Sequence, residues 1–247
     1  MDMRVRLTLA YDGTGYNGWQ IQKDGLTIQG ELEKALSRIC SASIRVHGSG
    51  RTDAGVHALG QVAHFDPPPK FLNVPWNRAL NAVLPPGIRV LDFARTDRKF
   101  HARFSARAKQ YSYTLWTQGA FFYPQRRNFV WNTGPLDLEA MQEATTCLTG
   151  SHDFNCFMNK GTEITDTIRT VRNILLAPGF TPQETVVWIQ ADGFLKQMAR
   201  NIVSALVQVG RKKLSQAELK SIIQGRDRAL APATAPARGL CLEHVTY

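Results

Sequence analysis

An α+β fold of two halves, each organised around a mainly antiparallel sheet, is predicted by three observations on this 247-residue chain. Segments of period-two hydrophobicity alternate with segments of helical period along the whole length. The N-terminal stretch orders them as β-α-β-β-α-β, and a related order begins again further on. Hydrophobic residues make up 43% of the chain, enough to bury a substantial core and to rule against general disorder.

Met3, Val5, Leu7, Leu9 and Tyr11 recur with period two, with Arg4, Arg6 and Thr8 on the opposite face, so the first element is a strand. After a loop over 12–25, Thr27 can cap a helix in which Ile28, Leu32, Leu36 and Ile39 share one face. That helix ends near Cys40. Residues 44–47 read as a short strand, a glycine loop follows, and 56–65 is another strand, broken by Pro67, Pro68 and Pro69. Pro75 suits a helix start, Leu80, Val83 and Leu84 are its apolar positions, and 88–93 returns as a strand. This order is ferredoxin-like: the sheet buries one face under two helices and leaves the other available.

Further on, Tyr111, Tyr113 and Leu115 alternate in a strand, and Asp137 can cap a helix containing Leu138, Met141 and Leu148. Strands are expected over 167–176 and 185–191, a helix over 195–209, and a helix opened by the capping box Ser215-Gln216-Ala217-Glu218. A last strand covers 240–245. The element order repeats without residue-level repetition, so a pseudo-duplicated α+β protein with a central cleft between its halves is expected. The boundary falls within 98–107 and divides the chain into 1–104 and 105–247.

Thirty Lys plus Arg against twenty Asp plus Glu give a formal charge of +10. The resulting pI is near 9.7, which favours polyanionic partners, nucleic acid above all. No apolar run approaches the ~18 residues of a membrane span. The first residues alternate apolar and charged side chains instead of placing a basic start before an apolar block, so a cytoplasmic address and no membrane association are expected. Cys40, Cys147, Cys156 and Cys241 have no paired zinc-ligand spacing, and the histidines form no His-Glu-x-x-His pattern. No metal is expected. Candidate phosphate contacts are Arg4, Arg6, Lys23, Lys109, Arg126, Arg127, Lys160, Arg211, Lys212 and Lys213, although each singly fits a solvated surface charge.

The segment Gly48-Ser49-Gly50-Arg51-Thr52-Asp53-Ala54-Gly55 sets one arginine and one aspartate among glycines between two strand-like stretches. It is not a dinucleotide fingerprint, because Asp53 stands where a third glycine is needed. Nor is it a P-loop, since Val56 stands where lysine is needed; Trp19 fails the same test after Gly13 and Gly18. Two readings of the spacing remain: a loop that presents Asp53 for nucleophilic or general-base chemistry, and a hairpin whose aspartate bonds nearby backbone. A catalytic aspartate that must stay ionised needs a cation or several donors beside it.

The stretch GSGRTDAGVHALGQVAHF over 48–65 closely resembles the active-site motif of the tRNA pseudouridine synthase A family. Four more blocks match in order: YDGTGYNGWQIQ from Tyr11, FHARFSARAKQYSYTL from Phe100, GFLKQMARNIV from Gly193 and APARGL from Ala235. Blocks so widely separated do not agree by accident. Small departures are Ala199 where valine is common and Ala237 where proline is common; both touch packing.

The resemblance implies an isomerase that converts uridine to pseudouridine in the anticodon stem-loop of tRNA, working as a homodimer with no cofactor and no metal. It implies that Asp53 is the catalytic aspartate and that Arg51 helps displace the base and takes its place. Tyr111, first tyrosine of the Lys-x-Tyr-x-Tyr block, would stack on the target base and be positioned for proton removal, while Arg200 would pair with the catalytic carboxylate and Leu240 would line the pocket. Read alone, Tyr111 fits an ordinary strand aromatic packed in the core better than a stacking residue. Helical spacing sets Leu195, Met198, Ile202, Leu206 and Val209 on one stripe and Arg200 opposite, where periodicity makes it solvated. A non-catalytic RNA-binding module also accounts for charge and topology, yet no segment carries the aromatic motif of RNA-recognition domains. A metal-dependent hydrolase would need clustered carboxylates or histidines, which the sequence lacks.

Overall fold

The computed structural model describes residues 3–121, 123–161 and 164–247. It is a mixed α/β protein with mostly antiparallel sheet and few helices. It divides into two compact units, Met1–Arg107 with Cys241–Tyr247, and Ala108–Leu240.

In the first unit, β1 (Met3–Tyr11) buries Val5, Leu7, Leu9 and Tyr11 as period two requires. It is followed by α1 (Ile28–Cys40), whose cap Thr27 accepts the Gly30 N–H at 3.2 Å. The short β2 (His47–Gly48) precedes β3 (His57–Phe65), then come α2 (Trp76–Asn81) and β4 (Ile88–Asp97). β1 lies between β3 and β4, antiparallel to both, and β2 pairs with β3 on its other side. The strand expected over 44–47 shrinks to its last residue because α1 side chains take over the backbone there: Glu33 accepts the Val46 N–H at 3.0 Å, and Gln29 donates to Val46 O at 3.0 Å.

In the second unit, β5 (Ala108–Trp116) is followed by β6 (Trp131–Asn132), α3 (Leu138–Ala144), β7 (Gly150–Asp153), β8 (Ile168–Pro178) and β9 (Glu184–Ala191). Two helices follow, α4 (Met198–Gly210) and α5 (Gln216–Gly225). The strand order is β5-β9-β8-β7, all antiparallel, with β6 parallel to β5. Asp137 and Ser215 cap α3 and α5, the latter with the complete capping box. α3 ends before Leu148, in a 3-10 turn over Thr145–Cys147, where the Thr145 hydroxyl bonds Gln142 O at 2.7 Å. α4 starts later than its hydrophobic pattern suggests, because Gln197 adopts a left-handed conformation (φ 62°) and its side chain engages the Asn159 amide. The last strand, β10 (Leu240–Thr246), belongs from Cys241 onward to the first unit, where it runs parallel to β3 through Cys241 and Leu242. Among the described residues, no helix is long and apolar enough to cross a membrane.

Candidate active site

In the first unit, Asp53 sits half-buried on a loop clamped from two sides. The loop over 12–19 is the first clamp. Trp19 N–H donates to Thr52 O at 3.0 Å, and Gly55 N–H donates to Tyr16 O at 3.3 Å. A side chain at Gly18 would stand 2.4 Å from Thr52 O and 2.9 Å from the Asp53 carbonyl carbon. One at Gly13 would stand 2.1 Å from Val56 O. These glycines let two backbones touch, and Gly18 also holds φ +85°, a conformation other residues rarely adopt. A turn closes the loop itself, with Val56 N–H on Asp53 O at 3.1 Å and Gly55 at φ 78°.

The second clamp is a buried polar chain. The Tyr11 hydroxyl and Thr52 Oγ1 lie 2.8 Å apart. Gln61 donates to Tyr11 Oη at 3.3 Å and to Gly50 O at 3.1 Å, while its Oε1 accepts the Ser49 hydroxyl at 2.6 Å. Burial pushes the Tyr11 phenol far up, so it stays a protonated donor. Thr52 is buried between Asp53, which is partly exposed, and Arg51, which is exposed. The backbone is therefore fixed at the residue between the two charged ones, which is how a loop presents side chains without wandering. Tyr11, Thr52 and Gln61 escaped sequence reasoning as parts of this site. Their signal was faint: Tyr11 reads as the last apolar residue of its strand, and Gln61 as an unremarked polar residue inside a strand pattern.

In the second unit, Tyr111 lies on β5 opposite Ile189, 7% exposed, with the Phe194 ring edge-on at 4.9 Å. Two residues on, Tyr113 is fully buried and donates its hydroxyl to Pro236 O at 2.7 Å. Gly239 lets the 235–240 segment lie against that ring, since a side chain there would come within 2.5 Å of it. Leu240, 5% exposed, closes the segment.

Arg200 departs from its sequence reading. α4 is buried on nearly all sides, including polar Asn201 and Ser204, so its apolar stripe does not mark a single inward face. Asn201 donates to Phe157 O at 2.7 Å and Ser204 to Ala233 O at 2.6 Å, which lets these polar groups stay inside. Arg200 is half-buried, not solvated, and its Nε donates to Ala235 O at 2.8 Å. The 235–240 segment is thus shared: Tyr113 and Arg200 both bond its carbonyls. Behind it, Arg228 donates to Asn159, Ala231, Pro232, Asn201 and Thr234, tying the approach to this segment to the start of α4.

Several of the candidate phosphate contacts already hold partners within the protein: Lys212 pairs with Asp137 at 3.3 Å, and Arg211 donates to Thr133 O at 3.1 Å. Arg126 grips Glu184, whose side chain is fully buried, at 2.6 and 3.2 Å. Arg4 holds Asp66 at 2.8 and 2.9 Å and also donates to the carbonyls of Arg98 and Phe100. Among the described residues, no group of three or more His, Cys, Asp or Glu side chains could hold a metal ion.

Residues 8–105 and 144–247 match a family model described as tRNA pseudouridine synthase, so the class of protein that this fold and loop define is the pseudouridine synthases. Relatives named tRNA pseudouridine synthase A match at nearly full length. The protein of Maridesulfovibrio salexigens is 50% identical over 99% of this chain and 90% of its own, and that of Solidesulfovibrio magneticus 47% over 99% and 91%. The Geobacillus kaustophilus protein is 43% identical over 100% of this chain and 95% of its own. The chain belongs to the tRNA pseudouridine synthase A family.

Proposed function

We propose that this protein isomerises uridine to pseudouridine in the anticodon stem-loop of tRNA. The observation that carries the reading is the likeness to tRNA pseudouridine synthase A over 99% of the chain at 50% identity. The rigid mounting of Asp53 supports it. In this isomerisation the bond from C1′ to N1 breaks and one from C1′ to C5 forms, while C5 gives up a proton and N1 takes one. The atoms balance without oxidant, reductant or co-reactant, so turnover without an added cofactor or metal is expected.

Asp53 is the group that activates the nucleotide, by attack on the sugar or on the base ring. Arg51 enters the space the base vacates. Tyr111 stacks on the extruded base and is placed for removal of the C5 proton, Arg200 pairs with the Asp53 carboxylate, and Leu240 lines the pocket. A base that leaves its helical stack needs such an aromatic surface. The Arg200 bond to Ala235 O supports its part, because it orients the guanidinium. The finer architecture belongs to the same proposal: ferredoxin-like halves over 1–104 and 105–247, the first carrying the catalytic loop and the second completing a cleft. Strand neighbours β4-β1-β3-β2 in the first unit and β5-β9-β8 in the second support that topology. The working form is a cytoplasmic homodimer.

Unmodified tRNA, incubated with the protein in chelator and no added cofactor, should acquire pseudouridine, read as carbodiimide-dependent stops of reverse transcription. Asp53→Asn should lower turnover by at least about 100-fold while binding tRNA nearly as well as the parent protein. RNA cleavage, binding without product, or an active Asp53→Asn variant would each refute the reading.

A further inference from the structure

The turn over 101–105 in the first unit holds two side chains outward on an unusually well-tied backbone. His101 N–H donates to Ser105 Oγ at 3.0 Å, and Ser105 N–H returns to His101 O at 2.9 Å. The N–H groups of Arg103 and Phe104 converge on His101 Nδ1 at 3.1 and 3.3 Å. Ala102, fully buried, donates to His64 Nδ1 at 3.1 Å and accepts the Tyr247 hydroxyl at 2.7 Å. Despite this anchoring, Phe104 is 76% exposed.

A fixed turn cannot fold such a ring away, so it forgoes the stabilisation that burial of a large apolar side chain provides. Its immediate surroundings indicate what covers it. The His101 ring lies 4.3 Å from the Phe104 ring at 34°, and the Arg103 guanidinium stands 5.6 Å from its centroid. Beneath them His64 lies 4.6 Å from His101, and His47 stacks on His64 at 5.0 Å. Arg98 and Lys99, in the same stretch of chain, are exposed along with Arg103. A flat ring beside exposed cations suits a flat π-system that carries phosphate.

We propose that Phe104 is a stacking platform for one unpaired base of bound RNA, with Arg103 meeting the adjoining phosphate. This site rests on the tRNA reading given above but is separate from the residues assigned to the reaction. It takes the base by its face, so it tolerates any base identity.

The test measures affinity for unmodified tRNA and for a blunt-ended RNA duplex, with oligomeric state followed by sedimentation. Phe104→Ala should weaken tRNA binding about tenfold or more, as loss of one stacked base does, and leave duplex binding unchanged. Phe104→Tyr should bind like the parent. Arg103→Ala should weaken both RNAs and lower the salt dependence by about one charge. Unchanged tRNA affinity in Phe104→Ala, or an equal loss on the duplex, overturns the proposal. So does a change in oligomeric state, which would give the ring to a second copy of the chain. Binding is read without turnover: Phe104-dependent binding with no pseudouridine would sink the activity and keep this site, and pseudouridine formed with no dependence on Phe104 would do the reverse.

Discussion

Gly18 carries the Asp53 loop at the scale of single atoms. Gly15 and Gly18 both hold positive φ, +79° and +85°, yet an added side chain at Gly15 meets nothing within 4 Å. Gly15→Ala should therefore cost about 1–2 kcal/mol from backbone strain alone and spare catalysis. Gly18→Ala adds a collision with Thr52 O and with the Asp53 carbonyl carbon, and should cost a further ~1–3 kcal/mol. Because the atoms displaced belong to the proposed catalytic residue and its neighbour, turnover should fall well beyond the loss of folded protein. Denaturant titrations paired with single-turnover rates measure both; equal rates in the two folded variants would sever the link between this glycine and Asp53. Sequence reading found the motif around these glycines, but a contact between residues more than thirty positions apart has no local signature.

Elements are held in place by charges that composition alone assigns to a ligand. Arg126 ends a 3-10 turn, Pro124–Arg126, and Glu184 opens β9, so their ion pair fixes a loop to a strand. Glu184 is completely covered, and it also accepts the Phe180 N–H at 3.1 Å. Arg126→Ala should destabilise the protein by about 3–5 kcal/mol, since it leaves a buried carboxylate without its cation. Adding Glu184→Gln should restore part of that loss; additive losses in the double variant would show that the two do not act as a pair. On β3, His64 titrates in a buried setting. Burial, then the charges of Arg4, His101 and His47, push its imidazole down to about 3 from an ordinary 6.5. Between these values the unfolded chain binds the proton and the folded one does not, so stability rises with pH across the window and is lost as pH falls below 6.5. Melting temperature should drop from pH 7 to pH 4.5. His64→Gln, which retains an acceptor for Ala102 N–H, should flatten that slope, and an unaltered slope would assign it to other groups.

Across the whole molecule the formal +10 charge acts as a field as well as a set of contacts. Binding of tRNA should weaken steeply with salt, by about 10³-fold or more between 50 and 200 mM if six or more phosphates are neutralised. A flat salt response would mean that apolar contacts dominate. The charge, the alternation in β1, the caps Thr27, Asp137 and Ser215, and the GSGRTDAG loop were all legible in sequence, since each depends on residues near one another along the chain. What sequence could not give was partnership at a distance. Arg200 looks solvated by periodicity because periodicity assumes one buried face, whereas α4 is enclosed on nearly all sides and its polar residues are satisfied by carbonyls of Phe157, Ala233 and Ala235. Arg126 looks like a phosphate contact until Glu184, 58 residues away, is seen to fill its guanidinium fork. The sequence by itself determined the elements, the family resemblance and the charge, because these follow from local period and residue type. Tertiary structure decided which polar groups are buried and with what partner, because those energies arise only once distant segments exclude water together.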